Sequence, residues 1–136
     1  MLKEILIAMA LIALDSCGGA KPAPSTHAQG EMCPMKLAGT RVVAIDTTDG
    51  VAVELSTTGD VSELRARAHH MAMMHEHMTG KMEMVPSTAR VEDTDRGARI
   101  VLVPTDATQL AALRAHVHEH AEMMASGHCP MMEKGT

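Results

Sequence analysis

The sequence predicts an α+β domain built from a duplicated β-β-α unit, in which a four-stranded antiparallel sheet carries two helices on one face. Two observations lead to this prediction. Strand-like alternation of apolar and polar residues at 51–56 returns 47 residues later, and each run is followed by a helix start with capping-box spacing. The chain has 136 residues, 46% hydrophobic and 21% charged, as expected for one small globular domain.

Each unit begins with a predicted hairpin. The later strand of each hairpin has the period of a half-buried strand, with apolar residues Val51, Val53 and Leu55 in the first unit and Ala98, Ile100 and Leu102 in the second. A turn signal precedes each of these runs, and an earlier strand-like run at 41–47 or 88–93 precedes the turn. The turn signals are Asp49-Gly50 and Asp95-Arg96-Gly97.

A helix follows each hairpin. Asp60 stands three residues before Glu63, and Asp106 stands three before Gln109, the spacing of a capping box. The helices are predicted to run to about residues 79 and 125, closing near two glycines, Gly80 and Gly127.

The helices are predicted to correspond at an offset of 46 residues. This offset matches Leu64 with Leu110, Met71 with Val117 and Met78 with Met124. The duplicated domain would then span residues 39–125, with repeats at about 39–80 and 86–125. The alternative is a chance similarity between two amphipathic segments.

The amino-acid composition argues against several classes of function. The chain has 14 Met and nine His but no Phe, Tyr or Trp, so it offers no aromatic platform for bases and no cage for a cationic ligand. Its net charge of −5 disfavours a nucleic-acid partner. It has no Gly-rich phosphate loop, no G-x-S-x-G elbow and no C-x-x-C pair, so an enzyme is not expected.

The N-terminus has the features of an export signal. Residues 1–16 contain the apolar run 5–14, which is too short to span a bilayer. The stretch Leu14-Asp15-Ser16-Cys17 resembles the lipobox of bacterial lipoprotein precursors. This resemblance implies that Cys17 becomes the first mature residue and carries lipid on its sulfur and its new amino group. A plain secretory signal with an incidental Cys is the alternative, and both place the mature protein outside the cytoplasm, in the periplasm or cell envelope.

The tether and the tail flank the domain. Residues 18–30 are small and polar with two prolines, so we interpret 17–38 as the lipidated Cys followed by a flexible tether. Residues 126–136 form a C-terminal tail.

Cys33 and Cys129 each begin a Cys-Pro-Met triplet, and in an oxidising compartment such an even pair predicts a disulfide. The alternative is a second soft-metal site made by the two cysteines with His128 and the flanking Met.

The candidate site lies on the two helices. One apolar stripe comprises Val61, Leu64, Ala68, Met71 and Met78 with His75 inside it, and the other comprises Leu110, Leu113, Val117, Ala121 and Met124. Beside these stripes lie two sets that contain only His and Met. The sets are His70, Met74 and His77 on the first helix, and His116, His120 and Met123 on the second.

Imidazole and thioether together make a soft donor set, which favours copper, particularly Cu(I), with zinc as the second candidate. In composition only, the chain resembles Met- and His-rich periplasmic proteins that hold or pass copper, and no ligand position comes from that resemblance. The competing interpretation is that Met fills the core and His is solvated. No strict H-E-x-x-H motif occurs.

We therefore predict an extracytoplasmic lipoprotein that binds, sequesters or relays a soft transition metal, with the membrane and the metal ion as its partners. Two rival functions stay open: a structural or interaction lipoprotein of the envelope without metal binding, and a thiol-based redox protein. The sequence identifies no protein partner.

Overall fold

The structure is a computed structural model that describes residues 32–78 and 84–129. Its elements are β1 (Thr40–Asp46), β2 (Val51–Thr57), α1 (Val61–Met78), β3 (Ser87–Thr94), β4 (Gly97–Pro104) and α2 (Leu110–Ala125). Short 3-10 turns lie at Pro34–Lys36 and Ala107–Gln109. The predicted signal segment, Cys17, most of the tether, the predicted end of the first helix at 79–80 and the tail from 130 lie outside the described residues. Among the described helices, neither could cross a membrane.

The four strands form one antiparallel sheet in the order β1-β2-β4-β3. Both helices pack on the same face, because their buried residues belong to one core cluster with the inward residues of all four strands. The predicted α+β class is therefore confirmed. Each helix packs mainly on the hairpin of the other unit. Helix α1 lies mainly on β3 and β4, and α2 lies mainly on β1.

The sheet has an approximate twofold axis at its centre. Residues of the first hairpin correspond to those of the second at an offset of 47, so that Val53 corresponds to Ile100. In the β2–β4 ladder these two residues pair with each other, while Val51 pairs with Leu102 and Leu55 with Ala98. Exchanging the two units therefore reproduces the same register, which is the property of a twofold axis.

Two equivalent glycines allow the hairpins to meet closely. A Cβ at Gly50 would overlap the carbonyl oxygen of Leu102, and a Cβ at Gly97 would overlap that of Leu55. Both pairs are related by the offset of 47 residues. Glycine is required at both turns because the backbone of the neighbouring central strand occupies the side-chain position.

The helices correspond at an offset of 49 residues, which differs from the predicted 46. The buried residues of α1 are Leu64, Ala68, Ala72 and His75, and those of α2 are Leu113, Val117, Ala121 and Met124. Each member of the second set lies 49 residues after its counterpart. The 3-10 turn Ala107–Gln109 lies before α2. It lengthens the link from β4 to α2 relative to the link from β2 to α1, which explains the larger offset. A three-residue shift rotates a helix by only about 60° from alignment, so the apolar stripes still overlap at the wrong offset.

Hydrogen bonds at the helix ends show which of the predicted capping residues cap a helix. The Asp60 side chain accepts a hydrogen bond from the Glu63 backbone N–H at 3.0 Å, as predicted from their spacing. Asp106 instead caps the 3-10 turn, where its Oδ1 accepts from the Thr108 backbone N–H at 2.9 Å. At the end of α2, Gly127 has a φ of +94°, and the bonds from Gly127 N to Met124 O and from His128 N to Met123 O form a Schellman motif.

Part of the outward face of the central strands is also buried, whereas the alternation predicted half-buried strands. Ala52 is fully buried and Val101 is 8% exposed, although both face away from the helices. Ala52 pairs with Ile45 on one side and Val101 on the other. These larger neighbours cover the small alanine, so no further layer is needed to bury it.

Candidate metal centre

A cavity of about 70 Å³ lies between the two helices above the centre of the sheet. Val53 and Ile100, the pair at the twofold axis, line it from the sheet side. Small-molecule sites usually measure ~300–1,000 Å³, so this cavity suits an ion better than an organic ligand. Its position at the axis allows both helices to contribute side chains to it.

The cavity combines an aliphatic wall with imidazole and thioether groups. Its donor-bearing residues are His75, His116, His120, Met71, Met84 and Met124. The remaining lining residues are Val, Ala, Ile and Leu, so none of the described lining residues carries a carboxylate, a hydroxyl or a cationic side chain. A ligand in this cavity therefore meets only neutral nitrogen and sulfur donors while the imidazoles are unprotonated.

His75 is held against one wall of the cavity by Ser87. The imidazole is 6% exposed, and its Nε2 lies 2.8 Å from Ser87 Oγ. Ser87 Oγ donates to the carbonyl oxygen of Val85 at 3.2 Å, which leaves its lone pair to accept from Nε2–H of His75. This network fixes the orientation of the ring.

Burial lowers the pKa of His75 below its ordinary value. A hydrogen bond to the Ser87 backbone and the Glu76 carboxylate act against this shift, and the nearby His116 acts with it. His75 is therefore neutral at pH 7. His75 on α1 and His116 on α2 both line the cavity.

His116 and His120 stand one turn apart on α2, with ring centroids 4.2 Å apart and ring planes tilted by 42°. Nε2 of His116 is buried and has no hydrogen-bond partner among the described residues. Thr40, Thr47 and Arg99 also have such an atom, but His116 alone of these four lines the cavity. A buried nitrogen without a partner is costly in free energy, and a bound ion could supply the missing interaction.

Two of the six predicted ligands line the cavity. These are His116 and His120, whereas His70, Met74 and Met123 are half-buried and His77 is exposed, none of the four lining it. Helix α1 instead turns Met71 and His75 toward the cavity, and α2 adds Met124. In the sequence these three residues fall in the core stripes, so their pattern did not mark them as ligands. The offset of 49, which matches Met71 with His120 and His75 with Met124, follows from packing on the sheet, and periodicity alone could not reveal it.

Two equivalent polar clamps, each made of one histidine and one arginine, hold the hairpin turns to the helices. His69 Nε2 lies 3.1 Å from Asp93 Oδ1, and His118 Nε2 lies 2.9 Å from Asp46 Oδ1. Both imidazoles are about half exposed. One turn earlier on each helix an arginine donates to the carbonyl oxygens of the same hairpin turn. Arg65 bonds Thr94 and Gly97, and Arg114 bonds Thr47 and Gly50.

Cys33 and Cys129 lie at disulfide distance, with their Cα atoms 6.2 Å apart, as predicted. Cys33 is almost fully buried, and its carbonyl oxygen accepts a hydrogen bond from Arg67 Nη1 at 2.9 Å. The pair therefore joins the segment before β1 to the segment after α2 and holds both near α1.

No three His, Cys, Asp or Glu side chains in residues 32–78 and 84–129 are grouped closely enough to hold a metal ion. Methionine is outside that set of ligand types. A metal centre in the cavity would therefore have to combine imidazole with thioether sulfur. Thioether ligands favour a soft ion.

Comparison with known proteins adds no assignment. No family model matches the chain, and no curated protein or solved structure matches it.

Proposed function

We propose that the mature chain is a lipid-anchored extracytoplasmic protein that binds copper in the cavity between α1 and α2, and so sequesters or relays the ion. The observation that carries this proposal is the buried Nε2 of His116, which has no partner among the described residues and belongs to a cavity with two more imidazoles and three thioethers. Metal coordination would satisfy this nitrogen and use the donors around it.

The buried wall residue His75 supports cation binding at neutral pH. Burial lowers its pKa, so the ring places no positive charge beside the ion. The ring of His75 is anchored by Ser87, so we assign it to the wall of the site, with His116 and His120 as the two nitrogen ligands.

The location outside the cytoplasm rests on the sequence. The lipobox-like stretch ending at Cys17 would attach the chain to a membrane, and the polar residues 18–30 would separate the membrane from the domain. A protein in this position could take up copper before the ion reaches other envelope proteins. Binding without catalytic turnover is sufficient for such a role.

A second candidate function is an interaction lipoprotein without metal. Val43 and Ile45 on the edge strand β1 are 53% and 41% exposed and face away from the helices. Exposed aliphatic side chains on an uncovered sheet face favour contact with another surface. The metal-binding experiment separates the two candidates, since the interaction function requires no copper.

The test is a Cu(I) titration of the mature lipid-anchored protein in detergent, with ascorbate as reductant and a chromophoric chelator as competitor. We expect the double variant His116→Leu, His120→Leu to bind Cu(I) at least ~100-fold more weakly than wild type, because two ligands are lost. The matched control is His70→Leu, His77→Leu, which removes two histidines outside the cavity. Circular dichroism verifies that both variants fold.

Wild-type affinity in the cavity variant would overturn the proposed site. A loss of Cu(I) affinity confined to the control variant would instead place the site at His70, Met74 and His77. Absence of Cu(I) binding by wild type would overturn the proposed function itself.

A further inference from the structure

We infer that the cavity selects monovalent soft ions, Cu(I) and Ag(I), over divalent Zn(II) and Cu(II), with the sulfur atoms of Met71 and Met124 as ligands beside His116 and His120. This inference rests on the proposed function and adds the charge of the ion and the sulfur ligands. It depends on three observations: the donor set of imidazole and thioether, the absence of carboxylates among the described lining residues, and the correspondence between the two helices.

The donors in the cavity are imidazole and thioether groups. The described lining residues supply three imidazoles and three thioethers and contribute no carboxylate or thiolate. Zinc sites in proteins usually include thiolate or carboxylate ligands, or several imidazoles in tetrahedral arrangement. Thioether sulfur binds hard or borderline divalent ions poorly but is a good ligand for Cu(I).

The charge of the ion decides the cost of burying it here. The Born cost of moving an ion from water into an apolar environment rises with the square of its charge, so a divalent ion costs about four times as much as a monovalent ion of similar size. The cavity walls are largely aliphatic, and Glu76, whose carboxylate acts on the pKa of His75, is exposed and does not line the cavity. A divalent ion would therefore find, among the described lining residues, none of the anionic groups that usually offset its desolvation.

The offset of 49 residues between α1 and α2 identifies the sulfur ligands. On α1, Met71 and His75 face the cavity four residues apart, and on α2, His120 and Met124 do so at the equivalent positions. The approximate twofold axis relates Met71 to His120 and His75 to Met124, so each helix brings one Met and one His to the cavity. Because Ser87 holds His75, the two sulfur atoms complement the two imidazoles of α2 in a set of four neutral donors.

Met84 also lines the cavity, just after the gap in the described residues. It stands on the segment that leads into β3, and not on a helix. We assign the ligand role to Met71 and Met124 because each is fixed by a helix whose core residues pack on the sheet.

The experiment compares Ag(I) and Zn(II) binding by the mature protein in detergent, each titrated as the aquo ion against a competing chelator. Binding at the cavity is defined as the part that the His116→Leu, His120→Leu variant loses. We expect the cavity to bind Ag(I) at least ~100-fold more tightly than Zn(II). We also expect the variant Met71→Leu, Met124→Leu to lose at least ~10-fold in Ag(I) affinity.

Leucine preserves the volume and apolar character of methionine, so the Met variant should remain folded. The matched control is Met73→Leu, because Met73 is 51% exposed on the same helix. This control should bind Ag(I) like wild type.

The outcomes separate this inference from the proposed function. Equal Ag(I) and Zn(II) affinities at the cavity would overturn the selectivity while leaving copper binding intact. Unchanged Ag(I) affinity in the Met71→Leu, Met124→Leu variant would overturn the sulfur ligands alone. Absence of both Cu(I) and Ag(I) binding would overturn the proposed function and this inference with it.

Discussion

Val53 in β2 pairs with Ile100 in β4, the residue that occupies its own position in the second β-β-α unit. The pairing places the approximate twofold axis of the domain between these two side chains. Both line the cavity, so the cavity lies at the axis where α1 and α2 face each other. A duplicated unit thereby creates a shared site that neither unit possesses alone.

The Cys33–Cys129 bond should stabilise the domain. The two cysteines are separated by 96 residues, and closing a loop of that length contributes roughly 4 to 5 kcal/mol in the chain-entropy model. We expect the Cys33→Ser, Cys129→Ser variant to lose a free energy of unfolding of that order, measured by urea denaturation. Two labelled thiols in native, unreduced wild-type protein would contradict the bond.

Membrane attachment should depend on Cys17. Replacing Cys17 with Ser should move the protein from the membrane fraction to a soluble or uncleaved form, because the acylated sulfur is lost. Fractionation and mass spectrometry of the N-terminal peptide check this. Identical fractionation of wild type and variant, together with an absence of acyl chains, would refute lipidation.

The stability of the metal-free protein should fall on acidification because of His75. Its pKa in the folded state lies below the unfolded value of about 6.5, so the unfolded chain takes up the proton first. The contribution of neutral His75 is therefore complete above about pH 6.5 and is lost as pH falls through the folded pKa.

This pH effect is measured by urea denaturation between pH 8 and pH 5. The His75→Gln variant should lose part of the pH dependence, although it is less stable throughout. The His77→Gln variant, at an exposed position of α1, serves as the control for general effects of a missing histidine. A pH dependence unchanged by His75→Gln would show that burial of this ring is not its source.

The two arginine clamps should contribute equally to stability. Arg65 and Arg114 each donate to two carbonyl oxygens of a hairpin turn, and hydrogen bonds from charged groups contribute about 1.5–3 kcal/mol. We expect Arg65→Met and Arg114→Met each to lower the free energy of unfolding by ~1–3 kcal/mol, as measured by chemical denaturation.

Arg90→Met is the control for the arginine clamps. Arg90 is 71% exposed and pairs only with Glu92 among the described ion pairs, so its loss should cost less than ~1 kcal/mol. Effects of Arg65→Met and Arg114→Met no larger than that of Arg90→Met would show that the clamps do not stabilise the fold.

Local patterns in the sequence determined the elements of this fold. Alternation around Val53 and Ile100 identified the central strands, the turn signals before Gly50 and Gly97 identified the hairpins, and the spacing of Asp60 and Glu63 identified the start of α1. These features depend on residues within a few positions of each other. The class of the fold followed, because two β-β-α units with apolar faces can bury them only against a shared sheet.

Only the tertiary structure decided the helix register and the membership of the cavity. Periodicity cannot distinguish an offset of 46 from one of 49, since a three-residue shift keeps most of an apolar stripe on the same face. The 3-10 turn before α2 and packing against the sheet selected 49. Met71 and His75 consequently occupy positions equivalent to those of His120 and Met124, and all four line the cavity. Residues that share a helical stripe look alike in the sequence, and only the opposing helix determines which of them line a cavity and which fill the core.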